Sequence, residues 1–151
     1  VVIQRDFARI RQLAQDSLML CQELEHRTGE IEPCAVLGEA ALGLGDFQAA
    51  AQHFQRALQT AGDICLPSYA LHALVGLAKL LAAVDEKARA YALATFILGH
   101  PASWQWSKDS VVPLMAELEA ELPPEAVTEA QRQWREKTVE EVIEALTKVV
   151  I

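Results

Sequence analysis

The residues able to do chemistry are scattered along this chain. Histidines stand at His26, His53, His72 and His100, with no HExxH or comparable metal-ligand spacing. Ser17, Ser68, Ser103, Ser107 and Ser110 all lack the Gly-x-Ser-x-Gly turn that exposes a nucleophile. No Gly-rich loop of the GxxxxGK(S/T) kind is present to cradle phosphates. Carboxylates crowd the segment from Glu117 to Glu144, but on Ala- and Leu-rich helices such runs form a solvated face. Cys21, Cys34 and Cys65 form no CxxC pair, and their odd number leaves one unpaired in any disulfide scheme. They read as reduced thiols serving as small core residues. These patterns predict a non-catalytic chain with no metal and no cofactor. Trp104 and Trp106, beside a turn, are the least ordinary local feature. They are either a stacking edge for a ligand or peptide, or a pin between neighbouring helices.

The elements that must position these side chains are helical. The chain has 151 residues, enough for one domain with a real core, and is 52% hydrophobic, mostly Ala and Leu. A formal charge of −8 argues against a nucleic-acid partner, whose phosphates need Lys and Arg. The most apolar stretch, Tyr69 to Val84, is interrupted by His72 and Lys79 and is too short to span a bilayer. With no signal peptide at its start and reduced thiols, the chain is expected to be cytoplasmic and to have no membrane partner.

The organising stretch is LGEAALGLGDFQAAAQHFQRAL, Leu37 to Leu58. Ala50, Phe54 and Ala57 follow i, i+4, i+7 and share one helix face, while Gly45-Asp46 separates that helix from the one bearing Leu37 and Gly38. Gly38 and Ala50 are expected to meet across a close helix-helix contact, with Phe54 filling the space beside them. The pattern resembles the tetratricopeptide (TPR) helix-turn-helix repeat, with Cys34 and Ala41 standing where that family carries large aromatic residues. It recurs at forty residues: Asp46, Phe47 and Ala50 map back to Asp6, Phe7 and Ile10, and Leu37, Gly38, Ala50 and Ala57 map forward to Leu77, Ala78, Ala90 and Ile97. This exceeds the ~34 residues usual for the repeat. The resemblance implies an all-α, right-handed superhelical stack of antiparallel helix pairs, about eight helices, degenerate towards its C-terminal end.

Within that single domain, Asp6 to Glu25 is predicted to be the second helix of a truncated repeat, followed by a break at Thr28-Gly29. Residues 31–61 form one repeat (Ile31 to Leu44, then Phe47 to Ala61) and residues 67–98 another (Pro67 to Ala83, then Glu86 to Leu98). Residues 103–149 form a degenerate repeat and cap. There Ser103 or Ser107 caps a helix ending near Leu122, Pro123-Pro124 opens one from Glu125 to Lys137, and Thr138 with Glu141 forms a capping box for the last, to about Val149.

The phrases HPASW, ELPPE and TVEEVIEAL resemble the C-terminal ends of bacterial STAND-type signalling ATPases and transcriptional activators, in which TPR-like repeats follow a nucleotide switch. That resemblance implies a protein-interaction or effector-sensing module within a signalling or transcription-regulatory protein. The repeat geometry implies a concave groove lined by Glu32, Ala35, Glu39, Leu42, His72, Val75, Lys79 and Ala82. With only Lys79 and His72 against Glu32 and Glu39, it does not suit a carboxylate-clamping subtype, and a protein or peptide partner fits its mixed lining. The alternative is a small-molecule receptor with its ligand near His72 and Lys79. The N-terminal helix lacks the first helix of its pair, so Val1, Val2, Ile3, Phe7 and Ile10 are expected to lie bare and to support a homodimer.

Overall fold

The structure, a computed structural model, describes the backbone of residues 2–150 and the side chains of residues 6–146. Among the described residues it is all-α, with eight helices in a stack: α1 (Val2–Glu23), α2 (Arg27–Gly43), α3 (Phe47–Asp63), α4 (Pro67–Ala83), α5 (Lys87–Gly99), α6 (Gln105–Glu121), α7 (Pro124–Gln133) and α8 (Val139–Val150). None of them is long and apolar enough to cross a membrane.

The first five helices are joined by four copies of one turn. Glu25, Gly45, Cys65 and Asp85, spaced twenty residues apart, all have positive φ: 54°, 81°, 55° and 68°. At each, the amide two residues past the last helical turn returns to the same relative carbonyl: His26 to Cys21, Asp46 to Ala41, Leu66 to Ala61 and Glu86 to Leu81. A second bond runs from Glu25, Gly45, Cys65 and Asp85 to Gln22, Leu42, Gly62 and Ala82. This is the Schellman closure of a helix C-terminus, which satisfies carbonyls that the helix itself cannot. The forty-residue sequence period is therefore two twenty-residue units. The expected break at Thr28-Gly29 is corrected by the same geometry: the chain turns at Leu24–His26, and Thr28 and Gly29 lie in the first turn of α2.

Local chemistry sets the remaining ends. Asp46 caps α3 by accepting from the Ala49 amide at 3.2 Å, and Pro67 opens α4 where no donor is needed. Pro33 lies inside α2 and cannot donate to the Gly29 carbonyl four residues back; the Cys21 thiol donates to that carbonyl instead, at 3.3 Å. Ser103 and Ser107 do not cap α6, whose N-cap is Trp104. The Ser103 hydroxyl instead donates to the Ile97 carbonyl at the end of α5, at 2.6 Å, and Ser107 is buried within α6. His100 is the C-cap of α5, its backbone amide donating to the Ile97 carbonyl, while its Nδ1 accepts from the Ala102 amide. α7 stops at Gln133, short of Lys137. Thr138 caps α8 through the Glu141 amide, while the Glu141 carboxylate pairs with Lys137.

The core centres on α4, buried on every side from Ala70 to Leu81 apart from His72 and Lys79, as a helix apolar all round must be. It packs on α2, α3, α5, α6 and α8. Its Gly76 and the Gly38 of α2 enclose the ring of Phe54, which is fully buried. A Cβ at Gly38 would lie 2.5 Å from the ring and one at Gly76 only 2.1 Å from it. The atoms nearest Gly38 are those of the Phe54 ring. The forty-residue register points to Ala78, but the ring meets α4 at a different height, at Gly76. Beyond α5 the units lose register: α6 and α7 both pack on α5, while α8 returns to α3 and α4 through Val139, Val142 and Leu146.

Phe54→Ala should destabilise the fold by roughly 3–5 kcal/mol. Gly76→Ala should cost about 1–3 kcal/mol in urea unfolding, and adding Phe54→Leu should recover part of that loss. Full additivity of the two changes would separate them in space. At the turns, Cys65→Gly should raise stability by about 0.5–1 kcal/mol, because relief of the left-handed strain exceeds the added entropy of glycine. An unchanged or lower denaturation midpoint would place Cys65 outside the left-handed region.

Candidate functional site

Two adjoining recesses lie along the seam of α1 and α2. One, of about 370 Å³, is bounded by Leu13, Ser17, Gly29 and Pro33; the other, of about 330 Å³, is bounded by Phe7, Glu39, Lys79 and Trp106. They share Ile10, Glu32 and Val36 and so form one trough. Its length follows α2 from Gly29 to Ala40, about 16 Å at ~1.5 Å per residue. The antiparallel run of α1 beside α2 brings Phe7 to Gly43, where the ring fills the space a Cβ would need.

Across the trough, α2 and α4 stand two units apart in the stack, so residues forty apart face each other. The Glu32 carboxylate meets His72 Nε2 at 3.3 Å, and Lys79 Nζ meets Glu39 Oε1 at 3.3 Å. Nδ1 of His72 is buried and has no hydrogen-bond partner. Over the His72 ring lies Trp106, centroids 4.3 Å apart and planes at 30°. Trp104 stacks on Trp106 at 5.3 Å and 18°, and the Tyr69 edge meets Trp104 at 4.8 Å. Trp104 is half-buried in this cluster, whereas Trp106 is 50% exposed and faces the trough. The one aromatic pair thus holds both an anchor and an exposed surface.

Of the residues implied for the groove, Glu32, Ala35, Glu39, His72 and Lys79 line the trough. Val75 is core, 2% exposed, and does not border it; Leu42 and Ala82 are partly buried against the core outside it. Phe7 and Ile10, expected at a self-association surface, border the trough, and Val2 and Ile3 lie outside the described side chains. Val36, Ala40 and Ser110 were not expected there. The positions of Val36 and Ala40 follow from pairing α1 antiparallel to α2, but nothing in the sequence announces that α6 would reach the same face.

The other candidate groups stay apart. Cys34 is buried, and that burial pushes its thiol above the ordinary range. Cys21 is half-buried and Cys65 exposed, so only one of the three thiols is a core residue. Burial lowers His53. No group of three or more His, Cys, Asp or Glu able to hold a metal occurs among the described residues. A separate recess of about 620 Å³ opens over α5 where α6 and α7 diverge, lined by Phe96, His100, Met115, Trp134 and Arg135; it also holds Thr95, whose buried hydroxyl has no partner.

No family profile, curated protein or solved structure matches this chain.

The Glu32 carboxyl is held below its ordinary value of 4.5, chiefly by the hydrogen bond with His72; partial burial opposes this and the charge of the ring adds to it. A carboxyl lowered on folding stabilises the fold above its unfolded value and loses that contribution as pH falls through the folded one. Wild type should therefore melt higher than Glu32→Gln above about pH 5, and the gap should close below about pH 4. Because Glu32 is half in solvent, the gap should stay under about 1 kcal/mol. A gap unchanged by acid would show that the pairing contributes nothing.

Proposed function

We propose that this chain is a non-catalytic, TPR-like interaction module whose trough receives an amphipathic helix or extended segment of a protein partner. The observation that carries the reading is that the charged groups of the trough are already paired with one another. Glu32 is engaged by His72 and Glu39 by Lys79. What remains on offer is apolar: Ile10, Val36, the floor at Ala35 and Ala40, and the open face of Trp106. A partner seated there gains from burial of apolar surface, with polar contacts at the rim supplying orientation. The length suits about three turns of helix. The setting we propose is the one the terminal phrases suggest, the C-terminal part of a larger bacterial signalling or transcription-regulatory protein, with any nucleotide chemistry elsewhere in it.

A small-molecule receptor is the second reading. His72 and Lys79 are poor candidates to greet a ligand, since each already has a carboxylate. The observation favouring it lies instead in the recess over α5, where the Thr95 hydroxyl is unpartnered and the volume is in the range of ligand pockets.

The test is selection of fifteen-residue peptides from a displayed random library, followed by titration monitored by tryptophan fluorescence. Selected peptides should carry apolar residues at i, i+3 or i+4, and i+7. Their affinity should fall by about tenfold or more in Trp106→Ala and Val36→Asp, with melting temperatures little changed. Peptides that bind both variants as tightly as wild type would place the site elsewhere.

A further inference from the structure

The recess over α5 belongs to the interior of the chain. None of its described lining residues lies on α1 or α8; they come from the C-terminal part of α5, Met115 of α6, Gln131 of α7 and the turn that follows α7. Its chemistry also departs from that of the molecule as a whole. The chain has 21 Asp and Glu against 13 Lys and Arg, yet no Asp or Glu stands among the described lining, whereas Arg135, Lys137 and His100 do. Glu136, between the two cations in sequence, is not part of it. The walls are apolar and aromatic, with Phe96 and Trp134 each 8% exposed.

We propose that this recess binds a small organic monoanion, a carboxylate carried on a flat aromatic body. The proposal rests on the receptor reading above and names its ligand class. The charges set the valence. Lys137 is already paired with Glu141 at 3.5 Å, whereas the Arg135 guanidinium has no ion-pair or hydrogen-bond partner among the described residues. One uncommitted positive charge matches one negative charge, and a dianionic phosphate ester would be only half met. The planar guanidinium fork presents two parallel donors, the arrangement a carboxylate accepts. His100 adds to it: Nδ1 accepts from the Ala102 amide at 3.1 Å, so the ring hydrogen sits on Nε2, a further donor in the lining. The walls decide the rest of the ligand. Phe96 and Trp134 favour a ring that can stack or meet them edge-on, and the Phe96 ring lies 5.5 Å from that of His100, so aromatic wall and donor adjoin. Thr95 brings an unmet group to the same lining, since a hydroxyl inside a helix ordinarily bonds the carbonyl one turn back and this one is buried without a partner. Arg135 is exposed, so it selects the acid and orients it, while the apolar walls supply most of the affinity.

Isothermal titration calorimetry with phenylacetate and indole-3-acetate tests this, with phenylacetamide as the neutral isostere and inorganic phosphate as the bare anion. Both acids should bind at a single site per chain, phenylacetamide should bind about tenfold or more weakly, and phosphate should not displace the acids. Arg135→Gln should weaken the acids by about tenfold and leave phenylacetamide unchanged, a pattern that loss of folding cannot produce. Arg132→Gln, three residues away and outside the lining, should leave both unchanged. Trp106→Ala should not alter acid binding, so this titration and the peptide selection succeed or fail independently. Phenylacetamide binding as tightly as the acids would overturn the ligand class and leave the receptor reading standing. Acid binding that is insensitive to Arg135→Gln, displacement of the acids by phosphate, or no saturable binding of either acid up to millimolar concentration would each overturn the proposal.

Discussion

The ring of Phe54 can occupy its site only because two other helices lack a side chain there. Gly38 on α2 and Gly76 on α4 leave no more room than the ring fills, so α2, α3 and α4 are locked at one spacing by a single aromatic residue. That spacing decides which α2 and α4 residues face each other across the trough. Glu32 reaches His72, and Glu39 reaches Lys79, because the two helices are held side by side at this distance. A larger residue at either glycine would move α4 relative to α2 and pull both ion pairs apart, although neither glycine touches them. The packing of the core and the electrostatics of the trough are one constraint read at two places.

The turns supply the second regularity, and they show where sequence reading stops. Helix type and order were legible from Ala- and Leu-rich stripes at helical spacing, and the ends of α3 and α4 from Asp46 and Pro67. The twenty-residue unit was not legible, since only Gly45 of the four left-handed residues advertises its backbone; Glu25, Cys65 and Asp85 adopt the same conformation without a glycine to mark it. Thr28-Gly29 looked like a break for the converse reason. Gly29 is there because its Cα faces the His26 ring, where a Cβ would lie 2.4 Å away, and not because the backbone turns. A glycine needed for close approach and one needed for a turn look alike in a sequence.

The trough was half legible on the same grounds. Pairing positions forty apart finds Glu32 with His72 and Glu39 with Lys79, because the repeat spacing is itself the geometry. It does not reveal that Val75 faces inward, since α4 is apolar on all sides and offers no polar face to orient it. Nor does it place Trp106, which enters from α6, beyond the point where the register holds. The Ser103 bond to the Ile97 carbonyl and the Ser68 bond to the Ala102 carbonyl fix the connection after α5 and so bring Trp106 and Ser110 of α6 to the trough. Those bonds join residues whose partnership no periodicity encodes.

The two ends of the stack treat the same kind of apolar surface differently. After α7 the chain folds α8 back over α3 and α4, and Val139, Val142 and Leu146 become core. On α1 no described element does the equivalent, and Ile10, Leu13, Leu20 and Leu24 face outward. In sequence these residues share their apolar spacing with α4, but Arg9, Arg11, Gln12 and Asp16 stand among them, where α4 from Ala70 to Leu81 is apolar apart from His72 and Lys79. Position in the stack acts on top of that difference, since a repeated unit buries each face only through the next unit along. Ile10, Leu13 and Ser17 sharpen the point, because they border the trough and belong to the outward face of α1 at once. Whatever covers one of these surfaces changes the edge of the other.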